Sequence, residues 1–446
     1  MKRKYFGTDG VRGQANIFPM TPDVALRLGA AAGRYFRQDK KEHRVIIGKD
    51  TRRSSYMFEN ALTAGFTSTG MDVYLLGPVP TPAVGVLTRS MRADVGVMIS
   101  ASHNSYLDNG IKFFGPDGFK LSDEVEMEIE SLLDGEISYA QSQSIGMAKR
   151  IDDALGRYME FAKSAFPKKK LLDGLKVVVD CANGAAYKAA PIVLWELGAE
   201  VIALGVNPNG YNINKDCGST NPIMAANAVL KHGADVGICL DGDADRVILI
   251  DEKGQIADGD QLMGLIATQW ASRGVLMKNT LVATVMSNMG LERHLNKHNI
   301  ELIRTNVGDR YVVEAMRKYG YNLGGEQSGH IVMTDFVTTG DGLMAGLQFL
   351  NAMVDSGKSA SDLINVFEPM PQLLKNILIS PDTDPLANTS VQEAIREGEA
   401  MLGERGRLLI RKSGTEPLVR VMGECEDSNL LSEVVMNVAE SITSVT

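Results

Sequence analysis

Short apolar runs alternate along this chain with longer stretches in which apolar residues recur every three or four positions. These are the signatures of buried strands and amphipathic helices. His43 to Gly48 (HRVIIG) predicts a strand and Tyr56 to Thr69 a helix, with further strands at Val73 to Leu76 and Val95 to Ile99. The pattern returns at Leu175 to Asp180 (strand), Ala185 to Leu197 (helix) and Val201 to Leu204 (strand). It returns again at Leu281 to Val285, Leu291 to Lys297, Glu301 to Arg304 and Tyr311 to Arg317. Such alternation predicts α/β layers with helices on both sheet faces.

The tail follows a different rhythm. A helix at Val391 to Leu402, strands at Arg407 to Ile410 and Leu418 to Met422, and a helix at Asn429 to Ile442 predict a small α+β domain. Its strands are joined by a tight loop and are therefore antiparallel. Polar breaks lie at Asp134 to Gly146, Pro167 to Lys170 and Glu252 to Asp260, and the sharpest at Pro369-Met370-Pro371. The expected fold class is α/β: three α/β mixed-sheet domains, over residues 1–150, 151–254 and 255–369, plus a smaller C-terminal α+β domain over 370–446.

Composition narrows the setting. A hydrophobic content of 44%, a charged content of 23% and a length of 446 residues fit a globular protein of several domains. The net charge of −9 argues against nucleic acid or acidic membrane as partner. The four cysteines are scattered, with no C-x-x-C pair, as in a reducing compartment. The basic start lacks an apolar signal stretch, and no run reaches the ~20 apolar residues of a membrane span. The expected location is the cytoplasm.

Between two apolar runs, Val236 to Leu240 and Val247 to Ile250, stands DGDADR at 241–246. A near-extended backbone sends alternate side chains the same way, so Asp241, Asp243 and Asp245 converge on one point. Crowded carboxylates resist ionisation unless a cation lies among them. A divalent ion is the expected resolution, with Arg246 beside it to meet an anion. The spacing to Glu252 mimics an EF-hand, but Arg246 occupies the position that needs glycine and the flanks read as strands, which excludes that loop.

Four other polar segments interrupt apolar ones. ISASHN at 99–104 carries Ser102, His103 and Asn104, and runs on to Asn109-Gly110-Ile111-Lys112, read as a turn followed by a cation. Taken alone it suits a capped strand end as well as a nucleophile; no G-x-S-x-G elbow surrounds Ser102. GGEQSGH at 324–330 places Glu326, Ser328 and His330 in alternation, facing one way if extended, with a carboxylate and a hydroxyl apt for sugar hydroxyls. RKSGTEP at 411–417 offers Arg411, Ser413, Gly414 and Thr415, with Arg420 beyond, as donors to phosphate. FGTDGVRG at 6–13 sets three glycines around Thr8 and Arg12. No Walker A loop occurs, so a nucleotide need not be the phosphate donor.

SASHN, DGDADR, GEQSGH and RKSGTEP occur here in one order, and on them the chain resembles the α-D-phosphohexomutase family over essentially its whole length. Within that family, FGTDGVRG and Gln327 are similar to the bacterial amino-sugar branch; the phosphomannomutase/phosphoglucomutase branch usually has methionine at that point. The resemblance implies four domains around a central cleft, each giving one loop. It implies interconversion of glucosamine 6-phosphate and glucosamine 1-phosphate on the route to UDP-N-acetylglucosamine. Ser102 is then a phosphoserine whose oxygen joins Asp241, Asp243 and Asp245 around one Mg²⁺ per subunit. Thr8, Arg12, His103, Asn104, Glu326, Gln327, Ser328, Arg411, Ser413, Gly414, Thr415 and Arg420 correspond to substrate ligands.

The implied reaction passes the phosphoryl group from Ser102 to the free hydroxyl, giving a 1,6-bisphosphate that turns over and returns its other phosphate. Arg246 and Lys112 would stabilise the transferring group. Lys112 and His330 are both candidates for the base. A hinge near Pro369 and Pro371 would let the intermediate turn. The resemblance also implies a homo-oligomer, and the first phosphate on Ser102 comes from the enzyme's own chemistry or from a kinase. The rivals are a phosphomannomutase or phosphoglucomutase with the same machinery, a phosphatase, and a sugar-phosphate binding protein without catalysis.

Overall fold

A computed structural model describes residues 4–7, 9–37, 42–380, 384–412 and 418–446. Its contacts divide into two compact units, one of residues 1–284 with 300–366, the other of 285–299 with 367–446.

The first unit holds three mixed sheets. In the first, β1 (Val11–Gln14), β2 (Arg44–Lys49), β3 (Asp72–Pro78), β4 (Val95–Ile99), β5 (Asp108–Phe114) and β6 (Ala148–Arg150) run in the order β1-β5-β4-β2-β3-β6. β2 pairs in parallel with β3 and β4, while β5 is antiparallel to β4 and β1. The second sheet comprises β7 (Lys176–Asp180), β8 (Glu200–Leu204), β9 (Val236–Leu240), β10 (Val247–Asp251) and β11 (Ile256–Ala257), ordered β11-β10-β9-β7-β8. The third comprises β12 (Thr280–Thr284), β13 (Glu301–Thr305), β14 (Leu323–Gly325) and β15 (Ile331–Met333), ordered β13-β12-β14-β15. Every residue of β4, β9, β10 and β12 is buried, which is why these strands read as continuous apolar runs and not as alternation.

Helices Pro22–Phe36 and Arg53–Ser68 cover one face of the first sheet, burying Leu28, Phe58, Leu62 and Phe66 against Val45, Ile47, Val95 and Val97. They cross closely because Gly65 has no Cβ, which would stand 2.2 Å from the Leu26 carbonyl oxygen. That crossing fixes the segment between β2 and the second helix.

Several expectations need revision. Asn109-Gly110-Ile111-Lys112 is not a turn but part of β5, an interior strand whose Gly110 lets the Ser100 carbonyl approach. The helix expected from Ala185 begins only at Ala189, because Ala182 and Asn183 adopt φ of 53° and 49° and residues 182–188 form turns. The polar stretch 252–260 is a hairpin into β11 and a helix start, not a linker. Helix Gly342–Ser356 shows no amphipathic pattern because twelve of its residues are buried on all sides.

In the second unit β16 (Gln372–Leu378), β17 (Gly406–Lys412) and β18 (Leu418–Cys425) form an antiparallel sheet ordered β16-β18-β17. Helices Thr389–Leu402 and Ser428–Ser444 pack on it through Val391, Leu402, Val434 and Val438. Helix Met289–Lys297, which sequence position groups with the third domain, belongs to this unit. Buried Glu424 accepts from Met289 N (3.0 Å) and Arg407 Nε (2.7 Å), and Arg407 Nη2 donates to the Ser287 carbonyl (2.7 Å). No helix among the described residues is long and apolar enough to cross a membrane.

Candidate active site

The loop between β9 and β10 brings the three aspartates together, each offering an oxygen within 4.8 Å of the others, at 0%, 0% and 3% exposure. The means is not the extended backbone expected from alternation. Residues 241–245 form a tight turn, with Ala244 at φ 59° and its N–H donating to the Asp241 carbonyl (3.0 Å). The turn is bolted from outside: Ala185 N donates to Gly242 O (2.8 Å), Thr81 N to Asp243 O (2.9 Å) and Gly342 N to Ala244 O (3.0 Å).

Burial, reinforced by Asp245 and Asp243, pushes the Asp241 carboxyl well above the usual range. For Asp243 burial acts the same way, but Lys112 and Thr81 outweigh it and hold that carboxyl below its usual range. Asp243 Oδ1 and Asp245 Oδ1 are buried with no hydrogen-bond partner. Converging carboxylate oxygens, two of them unsatisfied, fit a hard divalent cation. The buried triad could therefore hold a metal.

The third bolt comes from the segment that starts helix Gly342–Ser356. Asp341 caps it through Met344 N (2.9 Å) and accepts from the Tyr158 hydroxyl (2.9 Å). Burial, against those hydrogen bonds, pushes the Asp341 carboxyl up to about 6. The folded protein thus keeps a proton that the unfolded chain releases near pH 4, so stability falls as pH rises from about 4 to 6. Asp341→Asn retains the cap without the charge. It should melt above the wild type at pH 8, by on the order of 2 kcal/mol, with the gap closing toward pH 4. Equal melting temperatures at both pH values would contradict this.

Ser102 follows the end of β4, 2% exposed, with a left-handed backbone at φ 49° that costs a non-glycine residue about 1–2 kcal/mol. Its Oγ donates to Asp241 Oδ2 at 2.5 Å, so the serine and aspartate loops meet. His103 Nδ1 lies 3.4 Å from the same Oγ; burial, then Arg246 and Arg12, bring its pKa down to about 4, leaving a neutral imidazole at pH 7. Asn104 turns away, its Nδ2 donating to Asp108 Oδ2 (3.0 Å).

Lys112, on β5, has its ammonium 3.1 Å from Asp243, 3.3 Å from Asp9 and 3.6 Å from Asp245. Burial draws its pKa down, but the three carboxylates prevail and raise it above the ordinary lysine value. Arg246 Nε stands 4.0 Å from Asp245, and its backbone N–H donates to Asp241 Oδ1 (3.1 Å).

Ser102, Arg12, Asp245, Arg246, Glu326 and His330 line one open cavity. Glu326 Oε1 accepts from Gly308 N (3.1 Å), and His330 Nε2 lies 3.4 Å from Asp309 and 3.8 Å from Asp245. The expected alternation of Glu326, Ser328 and His330 fails. Residues 326–330 close a turn in which Gly329 N donates to Glu326 O and Glu326 N to His330 O. Ser328 is consequently exposed, and Gln327 bonds Asp258 with its side chain; neither lines the cavity.

Asp9, Asp309 and Arg310 are among the lining residues that sequence reasoning missed. Asp9 joins Arg12 (2.9 Å), Lys112 and Lys120 (2.6 Å), while Asp309 and Arg310 enter from the helix after Gly308. Asp9 lay within a quoted segment in which only Thr8 and Arg12 were singled out. Asp309 and Arg310 look like an ordinary helix start.

In the second unit Arg411 and Arg420 are direct partners across β17 and β18. Like charges so placed repel; burial and then Arg420 lower the Arg411 pKa. An anion between them would relieve both. Ser413, Gly414, Thr415 and Thr8 lie outside the described residues.

Comparison with known proteins places this geometry. The chain matches phosphoglucomutase/phosphomannomutase alpha/beta/alpha domain I over residues 3–140, domain II over 156–254, domain III over 258–370 and the C-terminal domain over 374–441. The phosphoglucosamine mutases of Dinoroseobacter shibae and Paracoccus denitrificans are 69% and 68% identical to it, over 99% of this chain and 99% of each relative. Among solved structures, a phosphoglucomutase/phosphomannomutase family protein from Burkholderia thailandensis matches with a TM-score of 0.83 at 23% identity, over 98% of this chain and 97% of that one. The N-acetylphosphoglucosamine mutase of Aspergillus fumigatus, solved with GlcNAc-6P and magnesium, matches at 0.67 and 17% identity, over 99% and 96%. At such identities the structures speak for the fold. The four matches together span nearly the full length, and this chain belongs to the phosphoglucomutase/phosphomannomutase family.

Proposed function

We propose that this protein interconverts glucosamine 6-phosphate and glucosamine 1-phosphate through a phosphorylated Ser102 and a glucosamine 1,6-bisphosphate. The observation that carries the reading is the 2.5 Å contact of Ser102 Oγ with Asp241 at the wall of the cavity. The amino-sugar substrate is taken from relatives at 69% and 68% identity that bear the name phosphoglucosamine mutase.

Mg²⁺ suits the triad, with Asp241, Asp243, Asp245 and a phosphate oxygen on Ser102 as ligands. When bound it supplies positive charge to the transferring phosphoryl group. The chain's own residues do the rest. Arg12 and Arg246 face the cavity and bind the phosphate near Ser102. Lys112, enclosed by three carboxylates, serves as a fixed cation. That leaves His330, with Asp309 beside its Nε2, to take the proton of the attacking hydroxyl. Glu326 holds sugar hydroxyls, and Arg411 with Arg420 grips the phosphate that is not reacting.

Gln327 turns to Asp258, so its side chain is not our choice for reading the amine. Four buried, unpaired cysteines fit a cytoplasmic setting, and the family resemblance favours a homo-oligomer. Domain limits after residues 150, 254 and 369 are proposed as drawn, with helix Met289–Lys297 grouped with the tail.

Isomerisation rates on glucosamine, glucose and mannose phosphates test the assignment. Glucosamine 6-phosphate should turn over fastest, with no sustained release of inorganic phosphate. A preference for glucose 1-phosphate would move the protein to the other branch of the family, and steady phosphate release would make it a phosphatase.

A further inference from the structure

Arg52 lies between β2 and helix Arg53–Ser68 and is entirely buried, unusual for a side chain of its length and charge. All five of its N–H donors are engaged. Nε donates to Asp50 Oδ2 (2.8 Å), Nη1 to the carbonyls of Asn104 (3.1 Å) and Ser105 (2.6 Å), and Nη2 to those of Ser102 (2.9 Å) and Asn104 (3.0 Å). Asn214 Nδ2, arriving from the stretch between β8 and β9, donates to the same Ser102 and Asn104 carbonyls at 2.8 and 2.9 Å.

The other side of the serine is held by the same unit. Ser102 N donates to Ser100 Oγ (2.9 Å), and Ser100 Oγ donates to Asp50 Oδ2 (2.7 Å). Asp50 Oδ1 accepts from Arg52 N and Ser55 Oγ, both at 2.9 Å, so the carboxylate is fully used. Both backbone groups of Ser102 are thus tied to one internally neutral pair, and the residue so tied is the one held at φ 49°. Gly242 completes the arrangement: a Cβ there would stand 2.6 Å from the Ser102 carbonyl oxygen.

We propose that Arg52, with Asn214, is a positioning residue that aims the Ser102 hydroxyl at Asp241; this rests on the reading of Ser102 as the phosphoryl carrier. A planar fork of five donors can gather the Ser102, Asn104 and Ser105 carbonyls together with Asp50, whereas a lysine ammonium is a point charge with three donors. Neither residue lines the cavity, so substrate binding should be spared while phosphoryl transfer suffers. Misplacement of a reacting group by about 1 Å costs on the order of 10²-fold in rate.

The test compares full-length wild type, Arg52→Lys and Asn214→Ala. It measures kcat, KM, thermal melting, and transfer of a phosphoryl group from a hexose 1,6-bisphosphate to Ser102, followed by phosphopeptide mass. Arg52→Lys should lose about 10²-fold in kcat and in the Ser102 transfer rate, with KM within about twofold. Asn214→Ala should lose about 10-fold and melt cooperatively. Wild-type kcat in both variants overturns the proposal, as does a rise in KM that accounts for the whole loss. If Arg52→Lys fails to fold, Asn214→Ala decides alone. A wild-type protein whose Ser102 accepts no phosphoryl group would instead remove the carrier reading on which the proposal stands.

Discussion

Ser102→Ala should lose at least about 10⁴-fold in turnover while keeping its fold and its affinity for sugar phosphates, because removing a nucleophile eliminates the covalent route itself. The hydroxyl donates one short hydrogen bond, to Asp241 Oδ2, and lies at 3.4 Å from His103. Losing such a bond costs about 1 kcal/mol, too little to unfold the first unit. Its methyl-sized replacement needs no room, since alanine is smaller than serine and the backbone ties of residue 102 run through N–H and C=O. The measurement is coupled isomerisation of glucosamine 6-phosphate beside calorimetric binding of the same compound. Turnover above about 1% of wild type would show that the phosphoryl group travels by another carrier. Equal affinity in the two proteins, with no turnover in the wild type either, would point to a sugar-phosphate binding protein.

The strands that carry the site were the most legible part of the chain. β4, β9 and β12 are buried on both faces, so their sequences are unbroken apolar runs that end abruptly in polar loops. The loop contents were equally plain, because three aspartates in five positions have few structural explanations. How the loops are built was not visible. Asp241, Asp243 and Asp245 converge through a turn with a left-handed alanine, and Glu326 and His330 converge because 326–330 folds back on itself. Alternation gave the right companions for the aspartates by the wrong geometry, and for the sugar loop it expected Ser328 to face the same way as Glu326 and His330, where the turn leaves Ser328 exposed.

Long-range partners were hidden for a different reason. Asp9, Arg52 and Asp309 are separated from Ser102 by many tens of residues, and each sits in a segment with an ordinary local explanation. Their function is defined only by what the fold carries to them. The Asp50-Thr51-Arg52 triplet at the end of β2 looks like a polar strand end, and becomes a clamp once β4 lies alongside. Helix Met289–Lys297 shows the same limit at domain scale. Nothing in its own sequence reveals that Glu424, 135 positions after Met289, accepts its first N–H.

The aspartate triad carries the second large expectation. In Asp241→Asn a group whose charge is resisted by burial, Asp245 and Asp243 becomes neutral at constant size. Its amide oxygen can accept from Arg246 N, as Asp241 Oδ1 does, and its amide nitrogen can donate to Ser102 Oγ, whose own proton then turns to His103 Nδ1 at 3.4 Å. With a chelator present, the variant should therefore melt above the wild type. The sign follows from linkage: the wild-type carboxyl is raised, so the folded form binds a proton more tightly than the unfolded chain. Wild-type stability then declines as pH climbs above about 4, and the variant's advantage grows with it. Adding Mg²⁺ at 100 times its dissociation constant should return about 2.7 kcal/mol to the wild type and little to the variant. Turnover in the variant should fall on the order of 10³-fold, since the charge that offsets the transferring phosphoryl group is lost with the ion. Equal stabilisation of both proteins by Mg²⁺ would place the ion elsewhere. A variant that melts below wild type in chelator at pH 8 would show instead that Asp241 is ionised and satisfied by neighbours alone, leaving the triad no need of a cation.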